Sequence, residues 1–169
     1  MDAAFLISLV VSLGYLGVFL ASLIGSASIF LPLPSFLIVT AAGTTLNPVL
    51  VGIAAGFGSA IGELVGYAIG LGLLYGKRKV SKRPAKKAKQ NKYYKIVKSW
   101  FSKKRGPAII FIFALTPLPD DVVGVVCGAI KYDVKKFFLA TLAGKIILHV
   151  ALAYAGLYGI DIIRSIFFA

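Results

Sequence analysis

The chain repeats itself at an offset of 85 residues within a strongly apolar sequence. The triplet Pro32-Leu33-Pro34 is matched by Pro117-Leu118-Pro119, and Gly43 is matched by Gly128. Proline-broken apolar segments at matching positions of two halves are typical of transporters whose site is built on discontinuous membrane helices. The repeat therefore predicts two structural units and the movement of a substrate across a bilayer. Other residue types recur at this offset: Val49 and Val134, Ala55 and Ala140, Ile61 and Ile146, Val65 and Val150, Ala68 and Ala153.

The distribution of charge predicts a membrane protein. Residues 3–76 contain one charged side chain, Glu63, and no Lys or Arg. Uncharged apolar runs longer than about 18 residues are candidates for membrane spans. We therefore expect an all-α integral membrane protein with a single membrane domain, residues 1–169. No basic segment precedes the first apolar stretch, so we expect no cleaved signal peptide.

A basic segment separates the two halves. Fourteen of the 19 Lys and Arg residues lie between Lys77 and Arg105. Because this segment lies between hydrophobic ones, the positive-inside rule places it in the cytoplasm of a cell membrane, near anionic headgroups, and we expect no nucleic-acid partner. Residues 77–90 have the composition of a disordered linker. From Asn91 an aromatic stripe beside lysines predicts a helix in the membrane interface, or one packed on other protein. The residues expected to contact lipid there are Tyr93, Trp100, Lys92 and Lys95.

The chain divides into a first apolar helix and two repeat units separated by the basic loop. In each unit a proline-broken segment precedes a full span, residues 48–75 or 134–159, and a short tail follows the second. Proline lacks a backbone donor and disfavours helix at the preceding residue, so each Pro-x-Pro ends a half-helix and turns the chain. The predicted boundaries are 1–20 for the first helix, 21–75 for unit 1, 77–105 for the basic loop and 106–160 for unit 2.

The charge bias predicts how the proline-broken segments lie in the bilayer. If residues 106–130 crossed it, Lys131, Lys135 and Lys136 would emerge outside, against the positive-inside rule. A re-entrant hairpin that turns at its prolines keeps them in the cytoplasm. The repeat then gives residues 21–47 a matching hairpin from the opposite side, so the predicted fold is an inverted repeat of two hairpin-plus-span units. The hairpin tips carry Pro32, Pro34, Ser35, Pro117 and Pro119.

Two acidic residues, Asp120 and Asp121, directly follow Pro119 at the tip of the second hairpin. An acid near the bilayer centre costs about 2.5–3.5 kcal/mol, so such residues usually face a cavity and mark ion or proton pathways. The alternative is an N-cap role for the half-helix that follows, as Ser35 would have in the first hairpin. The N–H groups of two half-helices favour an anion such as phosphate, whereas the aspartates oppose it unless they are protonated. This opposition predicts proton coupling and pH-dependent transport.

Four glycines at intervals of four predict a smooth face for close helix packing in residues 48–75. Glu63 lies beside this face and is either a substrate or proton residue or an acid paired with a neighbouring helix. Lys145 aligns with Ala60 in the repeat, so we expect it to interact with Glu63. His149, four residues after Lys145, is either a proton shuttle or a hydrogen-bonded core histidine. The four glycines are Gly58, Gly62, Gly66 and Gly70.

No pattern predicts an enzyme. The sequence has no carboxylate–histidine metal spacing, no Ser-His-Asp set and no nucleotide loop, and its one cysteine, Cys127, forms no CxxC motif. We therefore expect no metal and no cofactor.

At these residues the sequence resembles the DedA family, also called the VTT-domain or SNARE-associated superfamily, over roughly residues 25–160. Gly58-x-x-x-Gly62-Glu63-x-x-Gly66-Tyr67-x-x-Gly70 is similar to the family's G-x-x-x-G-[DE]-x-x-x-Y-x-x-G, and Thr116-Pro117-Leu118-Pro119 precedes Gly128. The resemblance implies two oppositely oriented re-entrant hairpins. It also implies lipid transport, either recycling of polyprenyl-phosphate carriers or scrambling of phospholipids.

The chain departs from many bacterial members of that family in two places. It has no Glu in residues 25–31, before the first hairpin's prolines, and it has Asp120 where they carry Arg near the second. The acidic residues that can take the place of that Glu in the site are therefore Asp120, Asp121 and Glu63.

The predicted function is translocation of a lipid or lipid-linked phosphate between leaflets, as a flippase or scramblase with proton coupling. Two alternatives stay open: a proton- or cation-coupled transporter of small solutes, and a non-transporting membrane organiser. The expected partners are membrane lipids or a polyprenyl-phosphate carrier, and a second copy of the chain. The expected substrate or proton site comprises Asp120, Asp121, Glu63, Lys145 and His149.

Overall fold

A computed structural model of the protein describes residues 12–27, 33–80, 99–101, 105–116 and 121–167, with side chains for all of these except 33–35, 73–80, 121 and 160–167. The described residues form helices and turns without strands, as predicted. The helices are α1 (Tyr15–Ala27), α2 (Leu33–Gly43), α3 (Pro48–Val80), α4 (Gly106–Leu115), α5 (Asp121–Ala129) and α6 (Val134–Phe167).

Two helices in the described part of the chain are long and apolar enough to cross a bilayer. They are Pro48–Gly72 of α3, with mean hydropathy 1.7, and Val134–Gly159 of α6, with mean hydropathy 1.8. Both agree closely with the predicted spans. One face of α3 exposes large apolar side chains at intervals of three or four residues, a face suited to lipid. These side chains are Leu50, Ile53, Phe57, Ile61, Val65 and Ile69.

The other four helices are too short to cross; α1 has 13 residues. The lengths of α2, α4 and α5 are 11, 10 and 9 residues. At 1.5 Å per residue they extend for roughly 14–17 Å, about half of a hydrocarbon core that is ~30 Å thick. Residues 28–32, between α1 and α2, and 117–120, between α4 and α5, lie outside the described residues and contain most of the two proline motifs.

Both long helices begin at a side-chain cap. The Oδ1 atom of Asn47 accepts hydrogen bonds from the N–H groups of Val49 at 3.0 Å and Leu50 at 3.3 Å. Before α6, the Oδ1 atom of Asp133 accepts one from the N–H of Lys136 at 2.9 Å. Each cap satisfies donors that the first turn of a helix leaves without a partner, which fixes where the two spans start.

Each of the two long helices packs on the other and on two short helices. α3 and α6 pack on each other, α1 and α5 pack on α3, and α2 and α4 pack on α6. Two apolar clusters fill the interior. The first cluster comprises Val18, Val39, Ala42, Val51, Ala55 and Ala153. The second cluster comprises Ile110, Val123, Cys127 and Phe137.

Glycines set the closest helix approaches and their register. A Cβ atom at Gly52 would meet Val150 and one at Gly56 would meet Ile146, so α3 and α6 run antiparallel. All four of the predicted packing glycines are buried. Cβ atoms at Gly58 and Gly62 would meet the backbone of α1, and one at Gly70 would meet the backbone of α5.

Three helices extend beyond the predicted segment boundaries. The first helix was expected to end at residue 20, but the chain bends at Gly14, whose φ is +55°, and α1 continues to Ala27. Glycine adopts positive φ without steric penalty, so the break falls there; residues 4–11 lie outside the described part. The expected linker at 77–90 begins as helix, because α3 extends to Val80, and α6 extends through the expected tail to Phe167.

Ser35, the residue expected to cap the first half-helix, lies inside α2, and its side chain is not described. Ser35 is the third residue of α2, which begins at Leu33, so it does not occupy the position that precedes the helix. Pro34 is the second residue, where its fixed φ and missing N–H suit a first helical turn. Asp120 directly precedes α5 in sequence, which is the capping position, but it lies outside the described residues.

Candidate functional site

A layer of polar side chains crosses the interior between the two apolar clusters. Three positions of α3, spaced by four residues, face three positions of α6 with the same spacing, which places each set on one helix face. Because the helices are antiparallel, the first position on one faces the last on the other. We call this set the polar layer; it comprises Ser59, Glu63 and Tyr67 on α3 and Thr141, Lys145 and His149 on α6.

An ion pair lies at the centre of the polar layer. The Nζ atom of Lys145 is 3.3 Å from the Oε1 atom of Glu63. The two residues are 4% and 2% exposed. Each lies within about one helical turn of the middle of its apolar segment, Pro48–Gly72 or Val134–Gly159. Ionisable groups at that depth are costly, and they mark pathways for ions, protons or substrates more often than they add stability.

His149 extends the layer toward the first apolar cluster. It is 1% exposed, and its Nδ1 atom lies 2.7 Å from the carbonyl oxygen of Lys145. A carbonyl only accepts, so Nδ1 carries the proton in this contact. The Nε2 atom lies 3.4 Å from the Oγ atom of Ser59. In the neutral ring Nε2 is the acceptor and the Ser59 hydroxyl donates, so His149 joins the two long helices.

A small cleft opens beside the ion pair on the side of the predicted second hairpin. The end of α4 and the start of α5 form two of its walls, and it has room for roughly one water molecule. Glu63 and Thr141 are the polar residues among its described lining. The apolar lining consists of Ile110, Phe113, Ala114, Val123 and Phe137.

Tyr67 connects the polar layer to the turn before α6. Its hydroxyl donates a hydrogen bond to the carbonyl oxygen of Tyr132 at 2.5 Å, and its ring lies 5.4 Å from that of Phe137. Burial raises the pKa of the Tyr132 phenol above 10.0, and interaction with Cys127 and Asp133 raises it further. Tyr132 therefore stays neutral in the physiological range.

Replacing Tyr67 with Phe is expected to lower the free energy of unfolding by about 0.5–1.5 kcal/mol, because the carbonyl of Tyr132 loses its donor while the ring packing is kept. The measurement is unfolding of purified protein in mixed micelles with increasing SDS. Tyr154→Phe is the matched control, because the ring of Tyr154 also packs on an aromatic ring, that of Tyr158, at 5.9 Å. Equal stability of the two variants would contradict the role given to the hydrogen bond.

The structure brings together three of the five residues of the expected substrate or proton site: Glu63, Lys145 and His149. Asp121 is the first residue of α5, and its side chain is not described. Trp100 is 63% exposed, as an interfacial residue would be. The other expected residues outside the described part are Asp120, Pro32, Pro117, Pro119, Tyr93, Lys92 and Lys95.

Sequence reasoning missed three members of the polar layer as site residues: Ser59, Thr141 and Tyr67, the last of which was named only within the family motif. Ser59 precedes Glu63 by four residues, and Thr141 precedes Lys145 by four. Residues four apart share a helix face, so this spacing was the available signal.

Comparison with protein families matches the chain to one of them. The model of the VTT domain aligns with residues 33–158, which is more than half of the chain and includes α2 to α5 and most of α6. The matched range contains the whole polar layer and the cleft. Comparisons with curated proteins and with solved structures gave no significant match.

Proposed function

The chain belongs to the VTT-domain family, also called the DedA family, and from this premise we propose that it translocates lipids between the two leaflets of a membrane. The family and the two long apolar helices make it a helical membrane protein. The observation that carries the proposal is the ion pair of Glu63 and Lys145, buried at mid-depth beside a cleft between short helices. A polar headgroup crossing a bilayer needs such a site, because the surrounding hydrocarbon offers it no hydrogen bonds.

We infer that α1–α2 and α4–α5 are re-entrant hairpins. The N–H of Asn47, at the start of α3, donates to the Tyr15 hydroxyl at the start of α1, at 3.1 Å. In the second unit, the ring of Phe101, before α4, lies 6.2 Å from that of Tyr132, before α6. In both units, therefore, the chain enters the pair of short helices and leaves it at the same end of the pair. Helices about half the thickness of the core fit this path.

We infer further that the two units are inverted. α3 and α6 run antiparallel, so the two pairs start from opposite ends of the molecule. The close contacts of glycines in the two units also support the inversion. Gly43 approaches Ala153 and Gly128 approaches Tyr67, while Gly156 approaches Thr40 and Gly70 approaches Val125. Thr40 and Val125 are separated by the repeat offset of 85 residues, as are Gly43 and Gly128.

The inverted arrangement gives most of the basic residues one side of the membrane, the cytoplasmic side of the cell membrane by the positive-inside rule, whereas Arg164, near the far end of α6, would lie toward the other side. The exposed cations Arg105, Lys131 and Lys135 lie at the ends of α4, α5 and α6 that would face it. Trp100 would lie at the same interface.

Labelling of single cysteines tests this topology. In a Cys127→Ser background, Thr45→Cys and Lys135→Cys place exposed thiols before α3 and in the first turn of α6. We expect an impermeant maleimide to label Thr45→Cys from outside intact cells and Lys135→Cys only after the membrane is opened. Labelling of both from the same side would contradict the inverted repeat.

The proposed path runs along the second hairpin. The headgroup would move past the end of α4 and the start of α5, where the cleft lies, while the acyl chains stay in the surrounding lipid. Asp120 and Asp121 would hold or release the proton that lets an anion pass, and the Glu63–Lys145 pair would meet the headgroup at mid-depth. The proposed site needs neither a metal nor a cofactor, and the proposal assigns the chain no enzymatic reaction.

Lipid flip-flop in proteoliposomes tests the function. Vesicles contain a trace of headgroup-labelled lipid, and an impermeant quencher is added outside. We expect quenching to exceed the outer-leaflet half in vesicles with protein and to stop at half in vesicles without it. The rate should change with pH because of the proton held by the aspartates.

The headgroup series in this assay separates the proposal from its alternatives. It includes zwitterionic phospholipid, anionic phospholipid and polyprenyl phosphate. Quenching that stops at half for every headgroup would contradict lipid translocation. Uptake of a soluble solute under a proton gradient would then favour a small-solute transporter, and the absence of both activities would favour a membrane organiser.

A further inference from the structure

We propose that the end of the second unit where α4 and α6 begin holds an anionic phospholipid of the surrounding leaflet, bound by its headgroup and not transported. The site is a set of four exposed cations that we call the basic end: Arg105, Lys131, Lys135 and Lys136. The inference goes beyond the proposed function, because this lipid stays at the bilayer surface and does not enter the cleft. It requires only that the chain lies in a membrane.

The four cations surround one turn of the chain. The turn between α5 and α6 carries one of them, and the first turn of α6 carries two. Arg105 directly precedes α4, and a Cβ atom at Gly106 would meet the ring of Tyr132 in the turn between α5 and α6. Among the described side chains at this end the acid is Asp133, whose Oδ1 atom caps α6 through the N–H of Lys136. The basic end therefore keeps a net positive charge.

The backbone holds three of these cations where helix stability does not favour a lysine. Lys131 has a φ of +56°, a conformation that suits glycine or asparagine at the end of a helix. The C-terminus of α5 favours its charge, but glycine would fit its backbone better. Lys135 and Lys136 lie in the first turn of α6, where the partial positive charge of the helix N-terminus repels a cation. A bound anion compensates both this repulsion and the repulsion among the cations.

Aromatic rings fix the turn in place at the level of the membrane interface. The Tyr67 hydroxyl donates to the carbonyl oxygen of Tyr132, and the Tyr132 ring lies 6.2 Å from that of Phe101. Trp100, the neighbour of Phe101, is exposed, as indole rings are at the level of lipid headgroups. The cations therefore lie on a supported turn close to the height at which phospholipid headgroups lie.

An apolar strip on α6 continues from the basic end into the membrane span. Lys135 is followed at intervals of four residues by Leu139, Ala143 and Ile147, and all four side chains are exposed. Residues at this spacing share one helix face. A phospholipid uses both parts of this face, its headgroup on the cations and an acyl chain on the strip, whereas a soluble phosphate would use the cations alone. The surface therefore fits an anionic phospholipid.

Fluorescence of Trp100, the one tryptophan of the chain, tests the proposal because it lies at the basic end. The full chain is reconstituted in phosphatidylcholine vesicles that contain a fraction of phosphatidylglycerol or phosphatidylcholine brominated in the acyl chains. Bromine quenches tryptophan only at short range, so quenching measures which lipid occupies this place. We expect the anionic lipid to be preferred by about tenfold, since several basic residues attract its headgroup. Equal quenching by the two lipids would overturn the proposal.

A triple variant assigns the preference to the basic end. We expect Lys131→Gly/Lys135→Gln/Lys136→Gln to lower the preference by about fivefold or more, because three cations are removed. The same variant should resist SDS unfolding as well as wild type or better, since it relieves the positive φ and removes cations from the start of α6. Loss of the preference in a protein of undiminished stability cannot come from misfolding. A variant that keeps the preference, or that unfolds at lower SDS, would overturn the proposal.

The matched control removes the same charge from the basic segment between the two units. Lys86→Gln/Lys87→Gln/Lys89→Gln is expected to keep the preference for the anionic lipid. An equal loss in both triple variants would mean diffuse attraction by net charge and would overturn a site at the basic end. Glycerol phosphate is the competing probe. Release of quenching by glycerol phosphate would assign the cations to a soluble phosphate and overturn the assignment to a phospholipid.

Discussion

Removing one partner of the Glu63–Lys145 pair is expected to lower the free energy of unfolding by about 3–5 kcal/mol, because the other charge stays buried after losing its ion-pair partner. Lys145→Met leaves the Glu63 carboxylate in this state, and Glu63→Gln leaves the ammonium. The measurement is unfolding of each variant in mixed micelles with increasing SDS, followed by circular dichroism.

The double variant Glu63→Gln/Lys145→Met is the matched control for this prediction. It removes both charges, so the desolvation penalty and the attraction disappear together, and its stability should lie within about 1 kcal/mol of wild type or above it. Additive destabilisation by the two single changes would contradict a buried pair.

The second large effect is expected at a helix crossing. A Cβ atom at Gly70 would meet the carbonyl oxygen and carbonyl carbon of Val125 on α5, and backbone atoms cannot move aside as a side chain does. Gly70→Ala is therefore expected to cost about 1–3 kcal/mol and to push α5 away from α3. Lipid flip-flop should fall with it, because α5 forms a wall of the cleft.

The control for Gly70→Ala lies two residues further along the same helix. Nothing lies within 4 Å of a Cβ atom built at Gly72, so Gly72→Ala should be neutral or stabilise α3 by up to about 1 kcal/mol through helix propensity. SDS unfolding and flip-flop are measured on both variants. Equal behaviour would mean that the close approach of α5 to α3 is absent in the membrane.

The register of the spans was predictable because the repeat and the apolar runs define it together. Aligning Lys145 with Ala60 placed its amine near Glu63, and the structure has the two charged atoms 3.3 Å apart. The glycines spaced by four residues predicted a packed face, and helix packing depends on small residues wherever backbones approach closely.

The ends of the helices were less predictable, because they depend on cooperativity more than on composition. Residues 77–80 have the charge of a solvated linker, yet they continue α3, since extending an existing helix requires no new nucleus. Lysine and arginine are good helix formers and interact favourably with a helix C-terminus. The cleft could not be predicted either, because it depends on how α4 and α5 sit against Glu63, which no local pattern encodes.

The most direct measurement of the central claim is the flip-flop rate of labelled lipid in proteoliposomes for wild type, Asp120→Asn/Asp121→Asn and Asp133→Asn. Asp133 is an exposed acid outside the proposed path, and Asn keeps an oxygen that can cap α6. We expect wild type and Asp133→Asn to give quenching beyond the outer-leaflet half, and the double variant to lose it. Quenching that stops at half for wild type, or that is unchanged in the double variant, would contradict lipid translocation along the second hairpin.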